Sequence, residues 1–196
     1  QTVEGHLWHI NYPFADGSGH VCVATTRPET MLGDTAVAVH PQDERYRARV
    51  GQQLKLPLTE RLIPLIADDW VTPEFGTGAV KVTPAHDKAD FDIGQRHKLA
   101  QIDIMHPNGH MNPLAGEALN GLDRFKARKV AVEKLTALGS LVKEEPYENK
   151  VGYSQRARVP IEPRLSEQWF LKYPSVEKSK ACVEQEEWSA GFRPGA

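Results

Sequence analysis

The sequence predicts a β-rich α+β fold: a central β-barrel of short strands with helices at its periphery. Three observations predict it. The first hundred residues hold several short apolar or β-branched runs punctuated by Gly, Pro, Asp and Ser. Those runs do not alternate regularly with helical segments, which argues for a closed or nearly closed barrel over a doubly wound parallel sheet. Apolar residues at helical spacing come only from about residue 88 onward.

The elements follow in chain order. Leu7 to Tyr12 alternates weakly and reads as a strand. Val21, Val23 and Thr25 alternate with Cys22, Ala24 and Thr26 behind Asp16-Gly17-Ser18-Gly19, so a turn feeds a second strand. Thr35 to Val39, Leu62 to Ile66 and Ala79 to Thr83 are further strand-like runs. Pro84-Ala85-His86-Asp87 leads into a helix expected over Lys88–Leu99, with Asp87 placed to cap it and Asp90 bringing a carboxylate to its positive end. Leu122, Phe125, Ala131, Leu135 and Leu138 fall near helical spacing between Asn120 and Gly139, and Gly139 suits the stop. Leu141 to Tyr153 reads as extended and polar, and a last helix is expected over about Ser175–Glu187. The expected organisation is one domain over residues 1–173 and a helical tail over 174–196.

Composition narrows the function classes. Hydrophobic residues make up 40% and charged residues 26%, which is ordinary globular usage and opposes wholesale disorder. Twenty-four Lys and Arg against 26 Asp and Glu give a net charge of −2, so any nucleic-acid contact must be local. No stretch approaches the ~18 apolar residues of a transmembrane helix. The two cysteines, Cys22 and Cys182, exclude a disulfide framework and a cysteine-rich zinc site, and imply a reducing, cytoplasmic setting. Gln1-Thr2-Val3-Glu4 is no signal peptide, and with the ending Phe192-Arg193-Pro194-Gly195-Ala196 it suggests a piece of a longer protein.

Four segments carry candidate chemistry. Thr25-Thr26-Arg27-Pro28-Glu29-Thr30 is a hydroxyl-rich end to an apolar strand; Pro28 pushes Arg27 into an extended conformation, aimed either at a pocket or at solvent. In Phe75-Gly76-Thr77-Gly78-Ala79-Val80-Lys81-Val82-Thr83 two glycines permit close backbone approach to a ligand. That pair of glycines precedes a strand rather than a helix, so it is a poor dinucleotide loop. Lys81 and Thr83 share one strand face, where Lys81 either snorkels to solvent or faces a polar pocket. Asp87 and Asp90, three apart in a first helical turn, hold a cation or ammonium group, or else cap the helix. His86-Asp87 also admits a metal-dependent phosphohydrolase reading, but no other histidine has diagnostic ligand spacing, and no metal is expected. Nucleophilic catalysis lacks a G-x-S-x-G, and Cys22 sits mid-strand in an apolar run. Between Gly121 and Arg164, ten Lys and Arg outnumber six Asp and Glu, with Phe125, Tyr147 and Tyr153 interleaved; this is either a backbone-binding surface or a solvated face.

Taken with Asp34-Thr35-Ala36-Val37-Ala38-Val39-His40-Pro41 and Pro84-Ala85-His86-Asp87-x-x-Asp90-Phe91, these segments closely resemble the editing domain of valyl-tRNA synthetases. This is the connective-peptide insertion shared with the isoleucyl and leucyl enzymes. The resemblance covers about residues 5 to 173, and Lys81 and Asp87 resemble the valyl branch. HIGH and KMSKS signatures are absent from this sequence, so the resemblance implies no aminoacylation by it, and ATP and Mg only for a full-length ligase. Ser154-Gln155-Arg156-Ala157 stands where some relatives carry Cys-x-x-Cys, so no zinc knuckle is expected.

What the resemblance implies is hydrolysis of a mischarged threonyl ester on tRNA(Val), without a cofactor. A hydrophobic pocket rejects an isostere that adds a hydroxyl by only about 10²-fold, a figure known for the valine enzyme itself. A correcting site must instead require the hydroxyl. On this resemblance Asp90 receives the α-ammonium. Lys81, Thr83 and Asp87 surround the side-chain hydroxyl. Arg27 and Thr30 position the ester and the attacking water. Phe75 and the backbone of Gly76, Thr77 and Gly78 accommodate the terminal adenosine, and Thr26 belongs to the substrate-binding set. The expected partners are the tRNA acceptor end and the other domains of a synthetase, with this chain itself a monomer. A non-catalytic tRNA-binding or interdomain module is the competing expectation.

Overall fold

The first long strand, β1 (Thr2–Pro13), shows why alternation is informative. Trp8, Ile10 and Tyr12 point inward and are buried, while the residues between them are partly exposed. β1 is the middle of a three-stranded antiparallel sheet. One neighbour is β2 (His20–Thr25), with Ile10 opposite Val23 and Trp8 opposite Thr25. The other is β7 (Leu141–Lys150), whose register against β1 shifts at His9/Ile10. The sheet order is β2-β1-β7.

A second sheet has four strands in the order β4-β5-β3-β6. They are β3 (Ala36–Val39), β4 (Gln53–Lys55), β5 (Leu62–Ala67) and β6 (Ala79–Val82). β3 runs parallel to β5 and antiparallel to β6. Both faces of β3 are covered, so all four of its residues are buried and it reads as an unbroken apolar run. The expected strand runs are present; the expected closed barrel is not what the ladders form. Among the described residues they make two separate sheets, linked by an isolated bridge between Phe14 and Leu54.

The helices lie where the spacing put them. α1 (Lys88–His97) begins at Asp87, whose Oδ1 accepts the backbone N–H groups of Ala89 and Asp90 at 2.8 and 3.2 Å. It ends two residues before Leu99, because Lys98 turns into the left-handed region at φ 54°. α2 (Arg124–Ala137) is capped by Asp123 and followed by Gly139 at φ 72°. Inward residues of both sheets and of α2, among them Ile10, Val23, Val37, Leu54, Leu65, Ala131 and Leu135, share one buried cluster. A smaller cluster of Ala36, Ala38, Val71, Val82 and Ile93 packs α1 against the second sheet.

This computed structural model describes residues 2–169, 175–177 and 180–181. The chain divides into two compact units, 1–165 and 166–196. Most of the helix expected over about 175–187, and Cys182, lie outside the described residues.

Candidate functional site

Where β2 ends at Thr25, the chain drops into a 3-10 turn over Pro28–Gly33. That turn, the 75–77 loop, β6 and the first turn of α1 surround a cavity of about 370 Å³. Thr26, Arg27, Thr30, Phe75, Gly76, Thr77, Lys81, Thr83, Asp87 and Asp90 all line it. Gly78 does not. It is buried at φ 74°, and a Cβ there would overlap the Arg45 guanidinium and come within 2.6 Å of the Pro73 carbonyl oxygen. Its glycine character serves loop packing, and it stands outside the cavity lining.

Lys81 faces into the protein and is 8% exposed. Its ammonium donates to Thr83 Oγ1 at 2.6 Å, Thr30 Oγ1 at 3.0 Å and Asp34 Oδ1 at 3.2 Å. Those three contacts use all the hydrogens an ammonium has. Thr83 Oγ1 in turn donates to Asp34 Oδ1 at 2.6 Å, and the Tyr12 hydroxyl donates to Asp34 Oδ2 at 2.7 Å. Asp34 is fully buried, and burial pushes its carboxyl above the ordinary range despite Lys81 and its hydrogen bonds. Burial first, then the adjacent Asp34 carboxylate, drives the Tyr12 hydroxyl well above 10.

Asp90 is 7% exposed and lies on the cavity wall. Its Oδ2 accepts the Thr83 backbone N–H at 2.8 Å. Among the described residues Oδ1 accepts no hydrogen bond. Burial raises its pKa to about 6, with Lys81 and the Thr83 N–H pulling the other way. Asp87 is exposed, and the Oδ1 that caps α1 is not free for a ligand. His86 is 1% exposed; its Nε2 accepts the Ile104 N–H at 3.0 Å, and burial lowers its pKa to about 4. Among the described residues no three His, Cys, Asp or Glu side chains cluster to hold a metal ion.

Arg27 crosses the cavity edge. It donates to the His86 carbonyl at 2.9 Å and pairs with Glu162, while its Nε lies 3.6 Å from Glu29. Thr30 is 2% exposed and its hydroxyl donates to the Arg27 carbonyl at 3.0 Å. Phe75 is 72% exposed on the rim. Thr26 accepts weakly from Asn149 Nδ2 at 3.5 Å, and the Thr77 hydroxyl donates to the Ala79 carbonyl at 3.1 Å.

Residues 42–124 match the family described as the leucyl-tRNA synthetase editing domain. The chain is 54% identical over 194 residues to a valine–tRNA ligase of Synechocystis, covering 99% of this chain and 21% of that protein. It is 60% identical over 172 residues to the valine–tRNA ligase of Thermosynechococcus vestitus, covering 88% and 19%. The Enterococcus faecalis valine–tRNA ligase is 54% identical over 188 residues, covering 95% and 21%. The chain is similar to leucyl-tRNA synthetase editing domains and to one stretch of valine–tRNA ligases. It spans about a fifth of the length of these ligases. In fold it is similar to the agnB2 LeuRS of Agrobacterium radiobacter K84, solved as a ternary complex with tRNA and LeuAMS. That similarity has a TM-score of 0.56 at 20% identity, over 76% of this chain and 20% of that one.

Around this cavity the sequence reading missed Asp34, Tyr12 and Glu162. Asp34 carried a usable signal, a lone carboxylate two residues ahead of an all-apolar strand. Its pairing with Lys81 was not readable, because β3 and β6 meet in a register that joins residues more than forty positions apart.

Proposed function

We propose that this editing domain hydrolyses the ester of threonine mischarged onto tRNA(Val), within a valine–tRNA ligase. Water adds to the ester carbonyl; the bond to the ribose oxygen breaks; threonine and a free ribose hydroxyl leave. The observation that carries the reading is the acceptor-rich cavity wall. Among the described residues Asp90 Oδ1 accepts no hydrogen bond, and the Thr30 and Thr83 hydroxyls, each with its hydrogen already donated inside the protein, keep lone pairs.

Such a wall suits a ligand bearing an ammonium and an alcohol. Asp90 takes the α-ammonium, whose charge holds the carboxyl ionised at neutral pH. The threonine hydroxyl donates into the Lys81–Thr83 cluster, where a valine methyl would leave acceptors unpaired at a cost of about 1–3 kcal/mol. Asp87 flanks that position. Arg27 and Thr30 place the ester, and Phe75 with the backbone at Gly76 and Thr77 receives the terminal adenosine. The ester is already reactive, so a positioned water needs no protein nucleophile. No cofactor enters this scheme. ATP and Mg, the tRNA body, the remaining synthetase domains and a cytoplasmic location belong to the whole ligase. The chain by itself acts as a monomer.

Asp90→Ala tests this in a deacylation assay with threonyl-tRNA(Val). Hydrolysis is expected to vanish with the fold intact by circular dichroism, and unchanged turnover would remove the assignment. A wild type that binds tRNA on filters but never deacylates it favours the non-catalytic module. Added chelator is expected to leave the rate unchanged; loss restored by a divalent ion favours the metallohydrolase.

A further inference from the structure

We infer that Asp34 is a specificity-determining positioning residue: by fixing the proton of the Thr83 hydroxyl, it makes the cavity demand a hydrogen-bond donor from the ligand. The inference rests on the reading that this cavity receives an aminoacyl ester. Asp34 is 0% exposed and does not line the cavity, so it touches no ligand. It acts through two neighbours that do.

The bookkeeping of hydrogens carries the argument. Lys81 reaches Thr30, Thr83 and Asp34 with its three N–H groups and has none left for a ligand. A hydroxyl has one hydrogen. Thr83 donates its hydrogen to Asp34 Oδ1 at 2.6 Å, the same oxygen that the Lys81 ammonium faces at 3.2 Å. Thr30 donates its hydrogen to the Arg27 carbonyl. Both hydroxyls therefore meet the cavity as acceptors only. Asp34 cannot rotate away, because Tyr12 occupies Oδ2 at 2.7 Å. A threonine alcohol satisfies this wall by donating, and a valine methyl leaves it desolvated and unpaired. Without the Asp34 carboxylate the Thr83 hydroxyl is free to turn, and the demand relaxes.

The test compares non-hydrolysable threonyl and valyl amides of adenosine by calorimetry, and threonyl- and valyl-tRNA(Val) by deacylation, on the 196-residue chain. Asp34→Asn is expected to lower the threonyl-to-valyl ratio about tenfold in both assays, with valyl cleavage rising above wild type. Simple loss of structure lowers both substrates together and cannot raise one. Asp34→Asn leaves the Lys81 charge buried without its counter-ion, so the Asp34→Asn/Lys81→Met double variant removes both charges and guards against misfolding. It is expected to lose the same discrimination. Tyr12→Phe, which leaves the Oδ1 contacts in place, is expected to keep it. A threonyl-to-valyl ratio unchanged in the double variant overturns the role of Asp34. A wild type that prefers the threonyl amide in binding but cleaves neither ester overturns the hydrolytic reading and leaves the role of Asp34 standing. Equal binding of both amides by wild type overturns both.

Discussion

At Asp90, the proposed function and stability pull in opposite directions. Its carboxyl rises from 3.8 to about 6 on folding, chiefly through burial. Between those values the native chain binds a proton that the unfolded chain has released, so stability falls as pH rises through that window. By neutral pH the lost stability is about 3 kcal/mol. Asp90→Asn keeps an acceptor for the Thr83 N–H and removes the buried charge. It is expected to stabilise the chain by about 1–3 kcal/mol at pH 7.5 in urea titrations, and to abolish threonyl-tRNA hydrolysis. His86 contributes the opposite slope. Its pKa falls from 6.5 to about 4, so the unfolded chain binds the extra proton and stability is lost as pH drops through that window. In the wild type the two slopes offset each other between pH 4 and 6. In Asp90→Asn the His86 slope stands alone, so the variant's advantage is expected to shrink on acidification and disappear near pH 4. On the proposed function, wild-type kcat/KM for the threonyl ester is expected to fall below pH about 6, because a protonated Asp90 would no longer bind the ammonium.

The element that delivers Asp90 is α1, and Gly94 sets how closely it approaches β6. Gly94 lies one turn beyond Asp90 on the same helix face. A Cβ there would stand 2.9 Å from Pro84 Cγ and 3.0 Å from Pro84 Cβ. Alanine gains about 1 kcal/mol of helix propensity, but overpacking against a rigid ring costs about 1–3 kcal/mol. The ring is tied to the end of β6 and cannot yield, so the packing cost is the larger. Gly94→Ala is expected to lower the melting temperature by a few degrees and to slow deacylation, as α1 carries Asp90 away from Thr83. Much of this element was legible. Asp87 as the cap, Asp90 in the first turn and the Lys88 start all follow from local chemistry. Local chemistry also marks Gly139 after α2 and the alternation of β1. Three-residue β4 is too short to show a period, and the division of strands between two sheets depends on pairings that no local signal encodes. For the cavity residues local chemistry marked oddities such as a Lys on an apolar strand but left open where they point; the set itself came from the family resemblance. Their partners were not legible, because Tyr12, Asp34 and Lys81 meet only after the sheets assemble.

Across the whole molecule, the cavity edge is braced from far along the chain. Glu29 is 0% exposed and takes a two-pronged contact from Arg128, on α2, 99 positions away, at 2.8 and 2.7 Å. Glu162 pairs with Arg27 and, at 2.8 Å, with Arg124 at the start of α2. Two carboxylates and three guanidinium groups thus tie α2 and the 162 region to the turn that carries Arg27 and Thr30. The arrangement holds Arg27 between two carboxylates, with Glu29 3.6 Å from its Nε. Arg128→Met removes the stronger partner of Glu29 and leaves a buried carboxylate facing Arg27 alone. Stranding one member of a buried pair costs about 3–5 kcal/mol, whereas replacing both is often close to neutral. Arg128→Met is therefore expected to destabilise the chain by about 3 kcal/mol, and Glu29→Gln/Arg128→Met by distinctly less. Urea titrations of the two singles and the double form a cycle that reads the coupling directly. In Arg128→Met the Arg27 guanidinium is drawn towards Glu29 and away from the ester position, so threonyl-tRNA hydrolysis drops even where the chain is fully folded. In the double variant Glu29 no longer draws it and Glu162 still holds it, so hydrolysis is expected to return towards wild type. Should the double variant be no more stable than Arg128→Met, the contact is surface decoration and the brace does not set Arg27.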